Sequence, residues 1–103
     1  MKVLHVKDPE AVRGIYVGRG ARGFAPSPLG NPFHIGKDGD RQEVIAKYRV
    51  WLWERIQSQD PEVLEALREI GRRRANVVCH CAPLPCHGEV VLRAAQWLLA
   101  QEK

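Results

Sequence analysis

The sequence predicts a small α/β domain, a short and largely parallel sheet flanked by helices in the order β-β-loop-α-α-β-α. Three observations predict it. Short β-branched segments stand near the start of the chain and again at Asn76–Cys81. Two stretches of helical periodicity with start signals lie between them. A strand, a helical crossover and a further strand favour a parallel pair, because the crossover returns the chain to the same end of the sheet.

The first strand is expected over "KVLHV" (Lys2–Val6) and the second over "GIYVG" (Gly14–Gly18). Residues Arg19–Gly39 are dense in Gly and Pro and hold no long regular element; loops of that length in so small a domain are commonly functional. Asp40 reads as an N-cap with Glu43 at the capping-box spacing, opening a helix over Arg41–Gln57. Val44, Ile45, Tyr48, Trp51, Leu52 and Ile56 form its core stripe. Trp53 lies off that stripe, and a large exposed aromatic beside arginine points to a contact face, for a partner helix or for self-association. A second helix starts at Asp60–Glu62, with Asp60 as cap and Pro61 at the first position. It buries Val63, Leu64, Leu67 and Ile70 and is expected to end at Gly71. Asn76–Cys81 reads as a buried strand. After Pro83 and Pro85 a last helix covers Gly88–Gln101, with Val91, Ala94, Ala95, Trp97 and Leu98 inward.

At 103 residues, 45% hydrophobic and 27% charged, the chain suits one globular domain over residues 1–103 and excludes global disorder. It contains no apolar run near the roughly 18 residues that span a bilayer, and its start is not a signal peptide. A cytoplasmic protein without a membrane partner is expected, in which crowded cysteines serve as thiols or metal ligands. The net charge of +4 and the excess of Arg over Lys suit phosphate-bearing partners, since guanidinium forks grip phosphate at two points. The run Arg72–Arg74 follows a helix end, where cations meet the dipole favourably; it reads as a solvated cap ahead of a nucleic-acid patch.

"CHCAPLPCHG" (Cys79–Gly88) holds all three cysteines and two of the four histidines. Three readings compete. Cys79, Cys81, Cys86 and His87 supply four soft or borderline ligands for a tetrahedral zinc. Alternatively, Cys86 sits at a helix N-terminus that favours thiolate, making it the most reactive thiol, with His87 as base or acid. In the third reading the thiols only fill a core. If the second and third strands are parallel, their C-terminal ends bring this cluster to Arg19, at the edge where open α/β sheets bind ligands. "YVGRG" sets Arg19 between two glycines that let the backbone approach an anion. In "SPLGNPF" (Ser27–Phe33) Gly30 is expected to supply a turn, and Asn31 either caps backbone or reads a base edge or ribose. Arg19, Ser27, Gly30 and Asn31 are thus the candidate ligand-binding residues.

The segments "YVGRG", "SPLGNPF", "EVIAKYRVWL" and "CHCAPLPCHGEVVL" together resemble the bacterial and phage family catalogued as domain of unknown function 4326. The likeness covers nearly the whole chain, and the family name implies a relationship without an activity. The residues themselves support two readings. One is a cytosolic protein that binds a small anionic, nucleotide-like ligand and acts on it through Cys86 and His87. The other is a non-enzymatic, zinc-stabilised module that binds nucleic acid or a protein.

Overall fold

The computed structural model describes residues 1–20, 23–81 and 84–102. Pro83, expected in the turn before the last helix, lies outside the described residues. The strands are β1 (Val3–His5), β2 (Ile15–Tyr16) and β3 (Val77–Cys79); the helices are α1 (Arg41–Gln57), α2 (Pro61–Arg73) and α3 (Gly88–Gln101). A 3₁₀ turn over Pro9–Arg13, which the sequence reading lacked, links β1 to β2; Asp8 caps it.

The sheet has the order β1-β3-β2, and both pairs are parallel. Val77 lies opposite Val3 on one side and Ile15 on the other. All three β3 residues are buried, as a central parallel strand requires. The strands are shorter than the sequence suggests. The final ladder bonds run from the Val17 amide to the Val78 carbonyl and from the Val6 amide to the Cys79 carbonyl. Beyond them the outer chains turn away, so β3 stops at Cys79 instead of reaching Cys81.

Both expected helix starts form. Asp40 accepts from the Glu43 amide at 2.8 Å while Glu43 accepts from the Asp40 amide at 3.1 Å, closing the capping box. Asp60 caps α2 through the amides of Glu62 and Val63. Tyr48, Leu52 and Ile56 of α1, Val63, Leu67 and Ile70 of α2, and Val91, Ala95 and Leu98 of α3 join Val77 in one core, and Val44 of α1 is also buried.

Three expectations for the helices need correction. Gly71 does not end α2, which continues to Arg73 and is capped by Arg74 in the left-handed conformation at φ 49°. Gly71 instead allows close helix packing: a Cβ there would stand 3.3 Å from the Ala95 carbonyl oxygen and 3.4 Å from Leu99 Cβ. Trp97 faces outward, while Leu92 takes a buried place on α3. Leu64, like Ile45 and Trp51 of α1 and Ala94 of α3, is half-buried where a fully buried place was expected. The Arg72–Arg74 run is largely occupied by ion pairs, Arg72 with Glu65 at 2.9 Å and Arg73 with Glu69 at 3.0 Å.

Candidate functional site

Parallel pairing sends the C-terminal ends of all three strands to one edge. There the backbone following β2 carries Gly18 and Arg19, and that following β3 carries His80 and Cys81. Both border a cavity of about 270 Å³ whose other walls come from the long loop, the first turns of α1, and Pro85–His87.

The long loop is held from below by α1. Tyr48, fully buried, donates its hydroxyl to the Leu29 carbonyl at 2.6 Å, and Leu29 is itself fully buried. Ser27 accepts from the Leu29 amide at 3.1 Å, and Asn31 accepts through its side-chain oxygen from the Phe33 amide at 2.9 Å. Asn31 therefore performs the backbone-capping role of the two it was given, while still lining the cavity. Gly30 serves close approach instead of an unusual turn angle: a Cβ there would lie 3.1 Å from the Gly18 carbonyl oxygen. Ser27 and Gly30 are outside the cavity lining and shape the turn beneath it.

Arg19 ties the loop to β2. Its Nη1 donates to the carbonyls of Asn31 and Phe33 at 3.2 and 3.3 Å and to His34 Nδ1 at 3.0 Å. Tyr16 donates its hydroxyl to the Arg19 carbonyl. On the far wall, Arg41 Nη1 donates to the Pro85 carbonyl at 3.0 Å and fixes the approach to Cys86. The sequence reading missed Arg41. Its signal was a cation in the first turn of a helix, where the dipole disfavours positive charge.

The cysteine–histidine cluster does converge on this cavity, although not as a four-ligand set. Cys79 and Cys86 are buried with their Sγ atoms 3.1 Å apart, and Cys81 is half-buried nearby. Hydrogen bonding to Cys79 and then burial push the Cys86 thiol far above its ordinary range. The Gly88 amide donates to Cys86 Sγ at 3.3 Å and acts the other way, as a helix start should, but is outweighed. The expectation that Cys86 is a ready thiolate therefore meets a physical obstacle.

His87 points Nε2 at the Val17 carbonyl, 2.6 Å away, and packs edge-on against Tyr48. A carbonyl only accepts, so Nε2 carries the hydrogen. Burial lowers the His87 pKa, the Arg19 charge adds to this, and the Val17 contact opposes it. The side chain is a neutral imidazole that staples α3 to the end of β2. The Val17 contact occupies Nε2 and leaves Nδ1 as the ring nitrogen without that bond. Among the described residues no group of three or more Cys, His, Asp or Glu side chains is arranged to hold a metal ion.

His80 is exposed and stands edge-on to both Tyr16 and Phe24. Tyr16 and Phe24 stack with centroids 4.6 Å apart.

The family profile described as "Domain of unknown function (DUF4326)" matches residues 3–97. The chain belongs to that family. The matched span of the DUF4326 family takes in all three strands, both cavity arginines and the whole Cys79–Gly88 cluster. No curated protein and no solved structure matches the chain.

Proposed function

We propose that this DUF4326 protein binds a small anionic, nucleotide-like ligand in the cavity at the C-terminal edge of its sheet. One observation carries the reading. The described lining includes the guanidinium groups of Arg19 and Arg41 and contains no carboxylate. A cavity so lined favours negative charge, and guanidinium groups suit phosphate oxygens in particular. Tyr16, Phe33, Val44 and Ile45 supply an apolar wall, which fits a ligand with a flat, weakly polar part attached to its charged group. A cytoplasmic setting suits thiols crowded this closely. The proposal stops at binding: burial and the contact with Cys79 both disfavour the Cys86 thiolate, so no nucleophilic step is assigned to it.

Thermal unfolding of the protein with phosphate, ribose 5-phosphate, AMP, ADP and adenosine tests this. A ligand at about 100 times its Kd stabilises the fold by about 2.7 kcal/mol. AMP or ADP should raise the melting temperature, adenosine should do so far less, and Arg41→Gln should abolish the difference. Equal stabilisation by AMP and adenosine, or none by any phosphate compound, overturns the proposal. Metal analysis of the same sample addresses the zinc-stabilised alternative. One zinc per chain, whose removal unfolds the protein, would decide for that alternative.

A further inference from the structure

A second feature is a groove lined by residues of α1 and α3. Trp53 of α1 and Trp97 of α3 meet edge to face, with ring centroids 5.3 Å apart and planes at 77°. Contact does not bury them, since they remain 45% and 41% exposed. With Val50, Arg49 and Arg93 they line a groove of about 590 Å³. Two indoles and a valine left in water on one surface are an energetic cost that covering them would remove. Trp and Arg are also the residues that most often anchor protein interfaces.

The charges on the groove say what covers it. Arg68, Arg72 and Arg73 each hold a carboxylate within the chain. Arg49 and Arg93 hold none, and neither guanidinium makes a hydrogen bond among the described residues. Glu89 stands four residues before Arg93, at the spacing of a helical ion pair, yet does not reach it. Two uncompensated guanidinium groups therefore flank an apolar strip.

We propose that this groove docks an acidic amphipathic helix of another protein. Large apolar side chains at i, i+3 or i+4, and i+7 seat against Trp53 and Trp97, and Asp or Glu on the flank meets Arg49 and Arg93. A second copy of this chain suits the surface less well. A two-fold contact places the same patch on both sides and brings the arginines of one copy toward those of the other.

The test is selection from a display library of helix-patterned peptides with fixed apolar anchors and flanks randomised between Asp/Glu and Lys/Arg. The full chain should enrich acidic flanks, and higher salt should weaken the binding of selected peptides. Trp53→Ala should weaken them at least about tenfold, as loss of an interface anchor does. The double charge reversal R49E/R93E, at exposed positions, should keep the fold by circular dichroism and switch the preference to basic flanks. No enrichment, or enrichment that R49E/R93E leaves unchanged, overturns the proposal. So does sedimentation showing a concentration-dependent dimer that Trp53→Ala abolishes, because the groove would then belong to a second copy.

Discussion

Cys86 and Cys79 share a short sulfur–sulfur contact inside the core, whereas Cys81 stands half-exposed just past the end of β3. Alkylation reads access and thiolate fraction together. Iodoacetamide on the native protein should therefore mark Cys81 first and reach Cys79 and Cys86 only on unfolding, as mass spectrometry of the digested peptides would show. Early labelling of Cys86 would restore the reactive thiol that its place before α3 suggests. His87 carries a pH dependence whose sign follows from burial. Its pKa in the fold lies below the ordinary value of 6.5, so the unfolded chain binds the proton more readily. The stabilisation is complete above about pH 6.5 and declines as pH falls through the lower folded value. Melting temperature should drop over that range in the native sequence, and His87→Gln should flatten this part of the slope. An unchanged slope in the variant would locate the pH response elsewhere.

At the scale of the elements, what could be read from the sequence divides by range. The helix starts at Asp40 and Asp60 were legible because a cap is a local device, made by residues three or fewer apart. Strand ends were not, since β3 stops where its neighbours turn away, and those neighbours lie far off in sequence. Gly71 was misread for a related reason. Glycine near a helix end usually stops it, but here the need for a small residue comes from α3. The convergence of the thiols with Arg19 was legible through one inference, parallel strands ending at a common edge. The occupation of His87 Nε2 by a backbone carbonyl was not, because it depends on side-chain direction. Gly71→Leu should cost about 1–3 kcal/mol by overpacking the α2–α3 contact, measured by denaturant unfolding. Tyr48→Phe should cost about 1–3 kcal/mol by leaving the buried Leu29 carbonyl without its donor. A neutral result at position 48 would mean that the loop does not depend on α1.

For the molecule as a whole, the central position of β3 has a consequence for synthesis. Bonds that close the structure join residues far apart in the chain: Lys2 N–H to the Asn76 side chain across 74 positions, and His87 to the Val17 carbonyl across 70. A ribosome exposes the first two strands and two complete helices before β3 exists to receive either strand. During that interval β1 and β2 have no partner, and the apolar faces of α1 and α2 lack α3. Contacts so distant in sequence also form late because closing a long loop costs entropy before it returns energy. Nascent chains stalled at successive lengths should thus stay protease-sensitive until α3 has left the exit tunnel, then become resistant in one step. The protein is a latecomer to its own fold, and the interval before its last helix emerges is when a chaperone has the most to protect.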